Sequence, residues 1–157
     1  MDESKKEAVE KYFNMVYKLA LSQTKSIHNA EDVVQNVFLK FLQCKKTFND
    51  REHEKAWLIR VTLNESKSFF TSSWFKKTVP LEENEITFEN EEKSDVYYAT
   101  LRLTPKYRAV IHLFYYEDMQ VKEIADALGE RESAIKTRLF RGREMLRQYL
   151  KGGYEDV

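Results

Sequence analysis

The chain has 157 residues with only 4 glycines and 2 prolines, and 33% of its residues are charged. So little glycine and proline argues against an all-β protein, while the apolar fraction suffices for a packed core, so we expect a helical protein. The single cysteine, Cys44, cannot form an internal disulfide, and the three histidines lack zinc-ligand spacing. Without a run of roughly 20 apolar residues or a secretory signal, the protein is expected in the cytoplasm, with no membrane insertion.

Equal totals of 26 basic and 26 acidic residues hide an uneven distribution of charge. Residues 1–79 hold 14 basic and 10 acidic residues, residues 80–95 hold 1 and 7, and residues 96–157 hold 11 and 9. The acidic middle segment has too little apolar content to fold independently. We therefore predict an N-terminal lobe (1–79) and a C-terminal lobe (96–157), joined by a flexible acidic linker (80–95).

Apolar residues at helical spacing predict three helices in the N-terminal lobe. They cover residues 9–20, 30–42 and 54–70. Asn29 is the predicted N-cap of the second helix. The third helix buries one face through Trp57 and Leu58 and keeps another face polar.

The C-terminal lobe is predicted to contain four helices. They cover residues 96–103, 105–116, 121–128 and 132–150. Thr104 followed by Pro105 is a strong helix start, because proline at the first helical position loses no needed N–H. Gly129 stands where a left-handed residue ends a helix.

A short helix, a glycine turn and a longer basic helix form a helix-turn-helix, whose second helix enters the major groove of DNA. Ala125 is predicted where the two helices touch. Residues 131–151 carry seven basic and two acidic residues. A basic amphipathic helix can also be a solvated surface helix, but Phe140 among hydrogen-bond donors favours DNA recognition.

The predicted recognition helix divides into two faces. Ile135 and Leu139 belong to the packed face, and the residues opposite suit base edges. These residues are Ser133, Lys136, Thr137, Phe140 and Arg141. Arg138, Arg143 and Arg147 lie away from the centre of this face and are predicted to contact phosphates.

Three segments together resemble one bacterial family. "AEDVVQNVFLKFL" (residues 30–42), "KAWLIRVTLN" (55–64) and the stretch 103–150 resemble the sigma factors of the extracytoplasmic function (ECF) group. The N-terminal motif (the first two segments) followed by the C-terminal motif (the third) is more specific than a helix-turn-helix alone. The resemblance implies an all-α protein with a region 2 helical bundle, which binds the polymerase and the minus-ten element, and a region 4 helix-turn-helix, which binds the minus-thirty-five element.

The resemblance also implies partners and site residues, without cofactor, metal or catalysis. The partners are promoter DNA and the clamp and flap of core RNA polymerase, and an anti-sigma factor is a further candidate. Asp32, Gln35 and Phe38 match the clamp-facing helix, although for Phe38 the core is the favoured position. The loop from Thr47 to Lys55 matches a pocket for a flipped base, and the helix from Trp57 matches the promoter-melting helix. The minus-ten candidates are Asn49, Asp50, Arg60, Asn64 and Lys67, whereas Trp57 is expected in the core.

Other interpretations have weaker support in the sequence. A stand-alone helix-turn-helix regulator would need a ligand, phosphoacceptor or dimerisation domain, and residues 1–79 resemble none of these. An enzyme would need a nucleophile elbow, a phosphate-binding glycine loop or paired histidine ligands, and none is found. The acidic linker matches a family segment that threads the polymerase channel, but a solvated tether explains its glutamates equally well.

Overall fold

The computed structural model describes residues 3–45, 47–48, 50–71 and 88–155. Within these ranges the chain forms seven α-helices and no strand. They are α1 (Glu3–Thr24), α2 (Ile27–Gln43), α3 (Arg51–Thr71), α4 (Glu91–Thr100), α5 (Pro105–Tyr115), α6 (Val121–Leu128) and α7 (Glu132–Glu155). The predicted all-α fold is confirmed.

The N-terminal lobe is a bundle of α1, α2 and α3. Its core is the apolar stripe predicted from the sequence, in which Leu19, Val33 and Phe41 are fully buried. The ring of Phe41 lies 6.1 Å from Phe48 and 5.8 Å from Trp57, measured between centroids. Trp57 therefore packs against the core, as expected.

Side-chain caps place two helix starts earlier than predicted. The Oγ of Ser26 accepts a hydrogen bond from the N–H of Asn29 at 3.2 Å, so Ser26 is the N-cap of α2 and the prediction of Asn29 was wrong. Asp50 Oδ1 accepts from the N–H of His53 at 2.8 Å, and α3 begins at Arg51 instead of residue 54. Both contacts satisfy N–H groups that lack a partner in the first helical turn.

In the C-terminal lobe, α4 begins within the predicted linker. Asn90 is its N-cap and accepts from the N–H of Lys93 at 2.8 Å, so residues 91–95 are helical. Residues 80–87 of the predicted linker lie outside the described residues. Thr104 and Pro105 start α5 as predicted, and Gly129 ends α6 with a left-handed φ of 68°.

The two lobes pack against each other, with α3 on α6 and α1 on α5. Arg108, on α5, is only 2% exposed at this junction. Its guanidinium donates to the main-chain oxygens of Leu101 (3.2 Å) and Leu103 (2.6 Å) in its own lobe and of Gln23 (3.1 Å) in α1. Burial lowers the pKa of Arg108 to about 10, which leaves the side chain charged at neutral pH.

Candidate nucleic-acid interface

Helix α7 presents its predicted recognition face to solvent. All five predicted base-contacting side chains are exposed, namely Ser133, Lys136, Thr137, Phe140 and Arg141. Phe140 keeps 63% of its surface accessible, whereas Ile135 and Leu139 on the opposite side are buried. An aromatic ring among hydrogen-bond donors fits the major groove, where the ring can contact thymine methyl groups and the donors can meet base acceptors.

Small residues hold α7 close to its neighbours. Ala125 of α6 is 2% exposed, and its main-chain oxygen accepts from the N–H of Glu130 at 2.9 Å across the Gly129 turn. A Cβ at Gly142 would lie 3.0 Å from Cγ1 of Ile111, so this glycine allows α7 to approach α5. The helix that carries the recognition face is thus packed closely against its neighbours.

Two of the arginines predicted to contact phosphates, Arg138 and Arg143, have partners within the lobe. Arg138 Nη2 lies 2.5 Å from Oε2 of Glu130, and the Arg138 side chain is only 17% exposed. Arg143 Nε donates to the hydroxyl of Tyr115 at 2.6 Å, and its guanidinium lies 5.6 Å from the Phe114 ring. Because a guanidinium carries five donors, these contacts orient the arginines and are compatible with phosphate binding.

The structure adds a cation that the sequence analysis did not single out. Lys106, the second residue of α5, is exposed and borders a depression of about 270 Å³ together with Ser133, Thr137 and Arg141. It stands at a helix N-terminus, where the aligned peptide dipoles favour an anion. The helix start was visible in the sequence, but only the fold places it beside α7.

On α3, Arg60, Asn64 and Lys67 border a cleft of about 630 Å³ between the lobes. Asn64 and Lys67 are exposed, whereas Arg60 is half-buried and its Nη1 donates to the main-chain oxygen of Ala127 in α6 at 3.2 Å. Asp50 lines a neighbouring cleft, which also contains Arg60. Asn49, the fifth predicted residue, lies outside the described residues.

The predicted polymerase-facing residues of α2 divide between surface and core. Gln35 is exposed, and Asp32 is half-exposed with its Oδ2 3.8 Å from Nε2 of His28. Phe38 is only 8% exposed and stacks on Phe13 at 6.0 Å, so in this conformation its ring belongs to the core.

The apolar side chains that α2 exposes are Leu39 (56%) and Leu42 (37%). Phe13 of α1 is 45% exposed and stacks on Phe38. The sequence analysis named none of these three for binding.

Three further features of the described residues concern metal binding, disulfide formation and membrane insertion. Among them, no group of three or more His, Cys, Asp or Glu side chains could hold a metal ion. Cys44 is half-buried and free of disulfide bonds. Each helix in the described ranges is too short or too polar to span a membrane.

Comparison with known proteins agrees with both lobes. Residues 8–75 match the family model described as Sigma-70 region 2, and residues 94–146 match Sigma-70, region 4. The chain is 30% identical to the RNA polymerase sigma factor SigV of Bacillus subtilis, over 83% of this chain and 81% of SigV. It is 27% identical to the ECF RNA polymerase sigma factor SigM of the same organism, over 96% of this chain and 97% of SigM.

A solved structure shares the fold. The sigma factor RpoE of Bartonella quintana, crystallised in complex with the anti-sigma factor NepR, aligns with a TM-score of 0.76 over 96% of this chain and 98% of RpoE, at 21% identity. With both regions matched in order and a relative at 30% identity, the chain belongs to the sigma-70 family and, within it, to the ECF group of RNA polymerase sigma factors.

Proposed function

We propose that this sigma factor directs core RNA polymerase to promoters by binding the minus-thirty-five element with α7 and the minus-ten element with α3. The observation that carries the proposal is the exposed face of α7, where Phe140 stands among donors on a helix-turn-helix. Arg141 and Lys136 bind base acceptors, and Thr137 and Ser133 complete the face. Lys106, Arg138 and Arg143 contact the flanking phosphates.

On α3, the proposed role is to hold an unpaired strand. Arg60 and Lys67 supply positive charge, and Asn64 supplies a donor and an acceptor for a base edge. Asp50 and Asn49 complete the flipped-base pocket at the start of the helix. Strand separation then follows from binding energy alone, since the chain acts as an initiation factor and not as a catalyst.

For core polymerase, the proposed surface is the outer face of α2. Gln35 and Asp32 contribute polar contacts to the clamp, and Leu39 and Leu42 contribute apolar ones. The C-terminal lobe meets the flap. We place the protein in the cytoplasm, where the polymerase is, and propose that an anti-sigma factor sequesters it, as the complex of RpoE with NepR illustrates.

Run-off transcription with purified bacterial core polymerase on a promoter library tests the proposal. We expect initiation at a subset of templates only when the protein is added. Arg141→Glu should abolish that selection, whereas Lys18→Glu, an equal charge change on exposed α1, should retain it. If no template initiates in a protein-dependent manner, the proposal fails.

A stand-alone helix-turn-helix regulator would behave differently in the same assay. It would alter initiation by a polymerase that already carries another sigma factor, and it would be inert with core polymerase alone. No feature of the N-terminal lobe favours this alternative.

A further inference from the structure

The cleft of about 630 Å³ beside α3 collects basic side chains from two lobes. Four basic side chains and one acidic side chain line it, namely Arg60, Lys67, Lys106, Arg138 and Glu130. The acidic one is already engaged, since Oε2 of Glu130 lies 2.5 Å from Nη2 of Arg138. A cleft lined mainly by one sign of charge concentrates ligands of the opposite sign. The lining therefore favours an anion.

The N-terminus of α5 opens on the same cleft. Thr104, Pro105 and Lys106 all line it. Thr104 is the N-cap of α5, but its side chain makes no capping hydrogen bond. N–H groups in the first helical turn lack partners within the helix, and together with the helix dipole they favour an anion. Because Pro105 has no N–H, the first main-chain donor of α5 is that of Lys106.

A buried amide in the wall of the cleft has an unused donor. Gln23, in the last turn of α1, lines the cleft and is only 1% exposed. Its side-chain Nε2 has no hydrogen-bond partner among the described residues. An amide that is buried without a partner costs free energy, and a ligand oxygen bound in the cleft would supply the partner. This observation is independent of the charge of the lining, and it also points to a ligand.

The rest of the wall is largely apolar. Leu63 of α3, Pro105 of α5 and Leu128 of α6 line the cleft, and all three are half-buried. Sites for small molecules commonly measure roughly 300 to 1,000 Å³ and combine apolar walls with a few polar groups. The cleft has this size and this composition. It can accommodate a molecule that carries both an apolar ring and several negative charges.

We propose that this cleft binds a nucleotide that carries two or three phosphates. The phosphates lie near Lys67, Lys106 and the start of α5, the base lies against Leu63 and Leu128, and the amide of Gln23 donates to a ligand oxygen. The site does not rest on the proposed function, because a nucleotide can bind here whether or not α3 and α7 bind DNA.

Calorimetric titration of the full-length protein with ATP tests the proposal. We expect one site per chain with a dissociation constant below about 1 mM. Inorganic triphosphate has the charges without the ring, and adenosine has the ring without the charges. Each should bind about tenfold more weakly than ATP, because each loses one of the two kinds of contact. If ATP does not bind, or if inorganic triphosphate binds as tightly as ATP, the cleft is not a nucleotide site and the proposal fails.

Gln23→Leu separates a ligand contact from a structural role. Leucine has a similar volume and no donor, so ATP binding should weaken about tenfold through loss of one hydrogen bond to a charged ligand. Thermal stability in the absence of ATP should not fall, because the amide donor that is removed has no partner. A variant that binds ATP as tightly as the wild type would overturn the proposal.

Two double variants at exposed lysines test the position of the phosphates. Lys67→Gln with Lys106→Gln removes two cations of the cleft and should weaken ATP binding severalfold. Lys18→Gln with Lys122→Gln removes two exposed cations that do not line the cleft, and it should bind ATP like the wild type. Equal weakening in both double variants would show that ATP responds only to net charge, and it would overturn the proposal.

Discussion

Nη2 of Arg108 lies 3.1 Å from the main-chain oxygen of Gln23, which precedes it by 85 residues. The same guanidinium binds the oxygens of Leu101 and Leu103 in the turn between α4 and α5. One buried cation therefore orders a turn within the C-terminal lobe and attaches that lobe to the N-terminal one. Its removal should affect both.

Arg108→Met should lower the free energy of unfolding by about 3 kcal/mol, because three buried carbonyl oxygens lose a charged donor. Urea denaturation followed by circular dichroism measures the loss. Arg102→Met is the matched control, since Arg102 is exposed and stacks on the Tyr149 ring at 4.0 Å, an interaction worth about 0.5 kcal/mol. Equal losses in the two variants would show that the carbonyl contacts of Arg108 do not stabilise the fold.

Gly129→Ala should destabilise the C-terminal lobe by about 1 kcal/mol through backbone strain alone. The φ of Gly129 is 68°, and a Cβ at this position would meet no atom within 4 Å, so steric overlap contributes nothing. Gly129→Asn should lose less, because asparagine tolerates the left-handed region. Thermal unfolding of the three proteins provides the measurement, and a larger loss for Asn than for Ala would contradict the strain argument.

The helices could be predicted from the sequence because their apolar stripes repeat with the helical period. Their starts could not be placed as well, since Ser26 and Asp50 cap helices one turn ahead of the apolar pattern. The packing of the lobes was beyond prediction. Arg60 and Arg108 each donate to a main-chain oxygen in the other lobe, and a main-chain acceptor leaves no trace in the residue pattern.

The recognition face could be predicted from the same helical periodicity, because burial of Ile135 and Leu139 fixes which side of α7 faces outward. The surface of α2 that we propose for core polymerase could not be predicted from periodicity. The helical spacing favoured the core for Phe38, where the structure has it, but it did not single out the exposed Leu39 as a contact residue. Lys106 was not predicted for a different reason. It lies on α5, and only the fold places it beside the recognition face of α7.

Arg141→Ala should relax the preference at one base of the minus-thirty-five element and weaken specific binding by about 1 to 3 kcal/mol. Competition among duplexes with every substitution at each position measures both effects. A uniform loss over all sequences would assign Arg141 to the phosphates. Lys106→Ala, which removes a proposed phosphate contact, should give that uniform loss and serves as the comparison.

Arg143→Ala should reduce the slope of log affinity against log salt by roughly 0.9, the change expected when one phosphate contact is lost. Titration of duplex binding at several salt concentrations measures the slope. Tyr115→Phe removes the hydroxyl that accepts from Arg143 Nε and leaves the charge in place, so we expect a smaller change in the same direction. An unchanged slope for Arg143→Ala would mean that this arginine only supports the lobe.

Leu39→Lys should weaken binding to core polymerase by about 2 kcal/mol, because a leucine side chain that becomes buried in an interface is replaced by a charged one. Leu39 is 56% exposed, so the substitution should leave the stability of the free protein nearly unchanged, and thermal unfolding checks this. Leu39→Met keeps an apolar side chain of similar volume and should bind almost as tightly as the wild type. Affinity is measured by titration of labelled protein with core polymerase in the absence of DNA. If the Lys and Met variants bind equally well, the outer face of α2 is not the surface that meets the polymerase.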